Sequence, residues 1–298
     1  MPPPARHRRA VPALLLGALL LAALLLAAPL IAGPGADRAR GAAVGGPRFT
    51  KRGVASARFL ARAPAKLAGI GAGWAYDWSA TPPPGGRGPQ WVPMLWGAGS
   101  LTPGALRTLR AARRTGRTHA LLGFNEPDSA SQSDLSPQRA AALWPALERT
   151  GLRLGSPAPA VPTDGWLARF MAIAARRHLR VDFIALHYYQ DITDPHAITA
   201  LHAQLAALHR RYRRPLWITE IGAIDLRAWH EPMQGTPTPA GATAYMRRLF
   251  ALLDGLPYVQ RYAWFTDDCW THPDCRLGSL FDGRGHLTAA GRTFESAP

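Results

Sequence analysis

The chain has 298 residues, is 47% hydrophobic and carries a formal net charge of +16. That length suits one barrel domain of about 250 residues plus a leader, and the hydrophobic share is that of a globular protein. The charge raises nucleic acid or an anionic surface as a partner. However, Lys51 and Lys66 are the only lysines, and the arginines are scattered through helical stretches, as at Arg107, Arg110, Arg113 and Arg114. No nucleic-acid motif accompanies them. The charge therefore reads as a solvated basic surface, and no nucleic-acid partner is expected.

Residues 1–32 read as a targeting segment. Arg6, Arg8 and Arg9 precede Val11 to Ala32, a run of 22 residues without a charge. That run is longer than a usual signal core and long enough to span a bilayer. The small-x-small cleavage pattern is poor, because Leu30 and Pro34 occupy the positions three before the two available cuts. A cleaved signal and an uncleaved anchor both stay open. Either one leaves the arginine flank cytoplasmic and exports the rest, with membrane contact through this segment alone. Residues 33–47, rich in Gly, Ala and Pro, read as a linker, and the catalytic domain is expected over 48–298 as a monomer.

Short apolar runs then alternate with helical patterns, the βαβα signature of a parallel sheet. Strands are expected at 52–56, 68–78, 91–96, 120–125, 153–158, 181–189, 216–221 and 259–265. The clearest helices are expected at 101–115, 137–149, 166–178, 197–212 and 238–254. Eight strands with intervening helices point to an α/β fold of the (β/α)8 TIM-barrel type. The connection from Trp78 to Trp91 is too short for a crossover helix, so either that unit is degenerate or the register of the first two strands is displaced. An open doubly wound sheet is the alternative, but no Gly-rich nucleotide fingerprint supports it.

Reactive groups in a barrel sit at the carboxyl ends of the strands. Of the five glutamates, Glu148 lies in a helix, Glu231 in a loop and Glu295 near the carboxyl terminus. Only Glu126 and Glu220 end apolar strand runs, LLGFNE and LWITE. Two carboxyls so placed meet the need of glycoside hydrolysis: one protonates the leaving oxygen while the other attacks or activates water. Retention requires them about 5–5.5 Å apart. Asn125 can bind a sugar hydroxyl. His187 or Tyr189, two apart and so on one strand face, can orient Glu220. The bland alternatives are that Glu126 caps a helix and that Glu220 pairs with a structural arginine.

Ten tryptophans offer stacking surfaces for sugar rings. Trp217, in mid-strand, is expected to pack. Trp264, near the end of the last strand, is expected to be a platform, with Trp78 and Trp96 as further candidates and Trp270 also of interest. The two cysteines, Cys269 and Cys275, are expected to pair in an exported protein; free thiols or a metal site with His272 are the alternatives, and the latter makes a poor zinc signature.

GFNEPD at 123–128, TEIG at 219–222 and AWF at 263–265 resemble the retaining glycosidase clan with catalytic glutamates on strands four and seven. More narrowly, KRGV at 51–54, WAYDW at 74–78, VPMLWG at 92–97, SPAPA at 156–160, ALHYY at 185–189 and LTAAG at 287–291 resemble glycoside hydrolase family 128. The resemblance implies retaining hydrolysis of β-1,3-glucan; endo action is the first hypothesis, with exo action left open, and no cofactor or metal is expected. By motif, Glu126 would be the acid/base and Glu220 the nucleophile. Asn125, His187, Tyr189 and Trp264 would line the cleaved subsite, and Trp78 and Trp96 would contact glucan. Tyr188 stands where the family suggests Trp, and the Cys269–Cys275 loop has no counterpart in the pattern. A clan member acting on mannan, xylan or envelope polysaccharide, and a non-catalytic glycan-binding barrel, are the competing readings. No HExxH spacing and no GxSxG elbow occurs, which argues against a metalloprotease or a serine hydrolase.

Overall fold

A computed structural model describes residues 51–269 and 272–297 of the chain. The leader, the linker and Trp270 lie outside the described residues. Among these residues no helix is long and apolar enough to cross a membrane. They belong to one unit, Pro47–Pro298.

Eight strands form, each parallel to its neighbour. They are β1 (Arg52–Ala55), β2 (Trp74–Tyr76), β3 (Gln90–Trp91), β4 (Ala120–Leu121), β5 (Arg153–Leu154), β6 (Ile184–Tyr188), β7 (Leu216–Ile221) and β8 (Val259–Phe265). One sheet runs β3-β2-β1-β8-β7-β6, and β4 pairs with β5. Parallel bridges from Met94 to Leu122 and from Gly155 to Phe183 join the two sets, so the pairing runs around a ring. The ladders of β3 and β5 stop near Pro93 and Pro157, which have no N–H to give.

The helices are α1 (Phe59–Arg62), α2 (Pro64–Gly69), α3 (Pro103–Arg114), α4 (Pro137–Glu148), α5 (Trp166–Arg176), α6 (Ala197–Tyr212), α7 (Pro239–Gly255) and α8 (Ala289–Ser296). Three of them start alike. Thr102, Ser136 and Thr238 each accept a backbone N–H from three residues on, and proline follows at the first helical position, where its missing N–H costs nothing.

The strand expected at 68–78 is corrected to Trp74–Tyr76. Ala68 and Gly69 instead close α2, and Gly71 (φ +81°) terminates it. The Ala72 N–H reaches the Leu67 carbonyl and the Gly71 N–H reaches Ala68, the paired bonds of a glycine helix stop. The connection from β2 to β3 holds no helix, so this unit is the degenerate one.

Inside the ring, Trp74, Tyr76, Met94, Leu122, Phe183 and Trp217 pack together. Phe183 stacks on Trp217 at 4.0 Å and Trp74 lies 5.5 Å from it. Trp217 is thus packing, and truncating such a residue costs about 3–5 kcal/mol. Outside the ring, Ile184, Leu186, Ile218 and Ile221 face the helices.

Candidate active site

A bulge aims Glu220 into the barrel. Strict alternation from inward Trp217 would turn Thr219 and Ile221 inward and Glu220 out. Instead Leu186 pairs with Ile218 while His187 pairs with Glu220, so Thr219 is an extra residue in β7. One inserted residue reverses the side-chain phase. Glu220 therefore points to the barrel mouth and Ile221 packs outward. Just beyond, a Cβ at Gly222 would meet the Phe265 carbonyl oxygen at 2.3 Å, so only glycine fits this close approach of β7 to β8.

Glu126 is set by the loop after β4. Asn125 bridges Ala158, and the Glu126 N–H donates to the Ala158 carbonyl at 2.8 Å. The Asp128 carboxylate accepts from the Ala160 and Val161 N–H groups at 2.8 and 3.0 Å, tying this loop to the one after β5. Glu126 does not cap a helix; α4 starts later, with Ser136 as its cap. Both Glu126 (φ +38°) and Trp78 (φ +56°) take left-handed backbone, a strain of about 1–3 kcal/mol each that concentrates at functional sites.

The two glutamates meet around His187. One carboxylate oxygen from each lies with the imidazole in a set of atoms within 4.8 Å of one another. His187 Nδ1 is 2.8 Å from Glu126 Oε1. Its Nε2 is 3.4 Å from Glu220 Oε1 but lacks hydrogen-bond geometry, so this second approach is electrostatic only. Burial opposes a charge on this ring, yet the Glu220 carboxylate, with the Glu126 hydrogen bond and charge, outweighs it and raises the His187 pKa.

Three donors hold Glu220. The Tyr76 hydroxyl and the Trp78 indole N–H reach Oε1 at 3.0 and 2.8 Å, and the Tyr189 hydroxyl reaches Oε2 at 2.7 Å. Burial, and then the charge of Glu220, push both tyrosines well above the ordinary phenol value. Both phenols therefore keep their protons and donate. The groups seen to hold the Glu220 oxygens are thus neutral donors rather than a structural arginine.

A cleft of about 290 Å³ opens above this network. Trp78, Trp96, Asn125, Glu126, Tyr189 and Glu220, all singled out in the sequence, line it. The amide of Asn125 donates to Gln132 at 3.2 Å, and its buried carbonyl oxygen has no protein partner.

Two expectations are corrected. His187 is fully buried and contacts the carboxylates from beneath rather than lining the cleft. Trp264 is not a platform. It is fully buried, its indole N–H donates to the Gly278 carbonyl at 2.7 Å, and its ring packs on Phe250 outside the barrel. Phe265, one residue on, takes the cleft position; an error of one residue on a strand exchanges faces. Tyr188 likewise packs on the outer core. Tyr76, Gln132 and Trp229 escaped the sequence reading. Tyr76 was signalled by its place two before Trp78, on the same strand face. Gln132 and Trp229 lie in loops, where no periodicity marks them.

Cys269 and Cys275 form a disulfide, with Cα atoms 5.6 Å apart, packed on Ile224 and Leu226.

Residues 55–294 match the glycosyl hydrolase catalytic core family. A family 128 subgroup I endo-β-1,3-glucanase from Amycolatopsis mediterranei, solved with laminaripentaose, is 38% identical with a TM-score of 0.73, covering 84% of this chain and 100% of that one. A subgroup II endo-β-1,3-glucanase from Sorangium cellulosum is 29% identical with a TM-score of 0.68, covering 84% and 99%. A subgroup III curdlan-specific exo-β-1,3-glucanase from Blastomyces gilchristii, solved with glucose, is 27% identical with a TM-score of 0.65, covering 83% and 97%. No curated protein matches the chain.

Proposed function

Because the chain belongs to glycoside hydrolase family 128, we propose that it is a retaining endo-β-1,3-glucanase, with Glu220 as nucleophile and Glu126 as acid/base. The observation that carries this reading is the approach of the two carboxylates to within 4.8 Å. So close an approach favours the ~5–5.5 Å separation of retaining enzymes over the ~6.5–9.5 Å of inverting ones.

In the first step Glu220 attacks the anomeric carbon while protonated Glu126 gives its proton to the departing glycosidic oxygen. In the second, Glu126 takes a proton from water, whose oxygen displaces Glu220. The donors Tyr76, Trp78 and Tyr189 hold both oxygens of Glu220 and fix its direction. His187 holds Glu126 through Nδ1. It also places positive charge between two carboxylates when it is protonated.

The substrate assignment rests on the Amycolatopsis structures solved with laminari-oligosaccharides at 37–38% identity. Endo action follows the subgroup I and II relatives. We propose further that residues 11–32 export the domain, as a cleaved signal or as an anchor, and that it acts as a monomer on polysaccharide.

The test is product analysis on linear β-1,3-glucan, β-1,4-glucan and β-mannan, with Glu220→Gln alongside. Oligosaccharides from β-1,3-glucan alone, absent in the variant, support the reading. Products from another glycan only would remove the substrate assignment while keeping the carboxylate pair.

A further inference from the structure

At the rim of the cleft stands Trp229, at the end of a 3-10 turn (Leu226–Trp229). It is 41% exposed, one of only two large hydrophobic residues among the described residues that stand so open. An indole left in water at the mouth of a sugar cleft offers a flat apolar face that a ligand can cover.

Its orientation is fixed by two contacts. Its ring stands edge-on to Tyr189, with centroids 5.3 Å apart and planes at 89°. Its indole N–H donates to Asp274 Oδ2 at 3.0 Å. Asp274 lies inside the loop closed by Cys269 and Cys275. Its own carbonyl accepts the Asp225 N–H at 2.7 Å, just ahead of the 3-10 turn. The disulfide packs under that turn on Ile224 and Leu226, with Tyr189 and Phe265 of the cleft against the same cluster. The bridged loop and the cleft wall are thus one packed unit.

We propose that Trp229 is a sugar-stacking platform at the cleft rim and that Asp274, held in the Cys269–Cys275 loop, is the positioning residue that sets its plane. This rests on the glucanase reading above and deepens it. The platform grips a glucosyl ring away from the cleaved bond, so it sets polymer affinity rather than the rate of bond breaking. The bridge acts through Asp274, by limiting where the loop can carry that carboxylate.

The test compares KM and kcat on linear β-1,3-glucan for the full chain and its variants. Trp229→Ala should raise KM about five- to fiftyfold, the range of a truncated aromatic anchor, with kcat within about twofold. Trp229→Phe should recover part of the loss. Asp274→Ala should raise KM by a smaller factor, and Asp274→Asn, which keeps an acceptor oxygen, should recover it. The double variant Trp229→Ala/Asp274→Ala should be no worse than Trp229→Ala alone, because Asp274 has then nothing to position. Dithiothreitol, which opens the bridge to two thiols while itself closing to a cyclic disulfide, should raise KM of the wild type and leave Trp229→Ala unmoved.

If Trp229→Ala kept the wild-type KM, the platform would be overturned. If Asp274→Ala added its full effect on top of Trp229→Ala, the positioning role would be overturned and a merely structural one left. Thermal melting separates both from misfolding. A wild type that leaves β-1,3-glucan intact defeats the glucanase reading itself, an outcome visible before any variant is compared.

Discussion

His187 Nδ1 lies 2.8 Å from Glu126 Oε1, and Nε2 of the same fully buried ring lies 3.4 Å from Glu220 Oε1. One imidazole therefore spans both carboxylates, and its raised pKa records that position. The ring binds its proton more tightly in the fold than in the unfolded chain. The stability this adds is complete below the ordinary histidine value of 6.5 and is lost as pH rises through the raised value. Melting of the wild type and of His187→Gln across pH 5.5–9 should show the largest difference at the acid end. A difference that grows with pH would contradict the arrangement.

Glu220→Gln should lower turnover of β-1,3-glucan by at least about a thousandfold, since it removes the nucleophile while preserving shape. Glu126→Gln should cost about 10²–10⁴ on polymer. That loss should shrink on an aryl glycoside whose leaving group needs no proton. Steady-state kinetics on the two substrate types separates the roles; equal losses on both from Glu126→Gln would remove its part as acid.

The donors around Glu220 can be removed singly. Tyr76→Phe and Tyr189→Phe each delete one hydrogen bond to a charged group, worth about 1.5–3 kcal/mol. Each should lower kcat by about ten- to a hundredfold, with little change in KM. Trp78→Phe should lower kcat and also raise KM, because it replaces the indole that lines the cleft with a smaller ring, whereas Tyr189→Phe keeps its ring there.

Asp267 stabilises the barrel seam rather than the chemistry. It is buried at the end of β8 and accepts from the Ser56 hydroxyl at 2.5 Å and from the Ala57 and Phe59 N–H groups, both at 2.7 Å. Asp267→Ala leaves those donors unpaired beside the first strand. Loss of such a buried network costs about 2–4 kcal/mol, a fall of roughly 5–15 °C in melting temperature for a domain of this size. A melt within about 1 °C of wild type would contradict that role.

The barrel and its two glutamates were legible because period and chemistry coincide there: apolar runs of strand length end in carboxylates at 126 and 220. What stayed hidden depends on single-residue phase. The extra Thr219 in β7 has no signature in LWITE, yet it decides that Glu220 points inward. At β8 the same one-residue ambiguity put Trp264 in place of Phe265. Strand β2 was drawn too long because Ala68 and Gly69 fit an apolar run as well as they fit the end of a helix. Trp229 lay beyond any pattern, since a loop residue reaches the cleft only through tertiary contacts with Tyr189 and Asp274.

The most direct test of the paired-carboxylate account is the anomeric configuration of the first products, read by proton NMR during early hydrolysis of a β-1,3-gluco-oligosaccharide. Two displacements at one carbon, by Glu220 and then by water, predict that the β-anomer appears first and the α-anomer only later by mutarotation. If the α-anomer appeared first, a single displacement by water would be at work, and the roles given to Glu126 and Glu220 would be wrong.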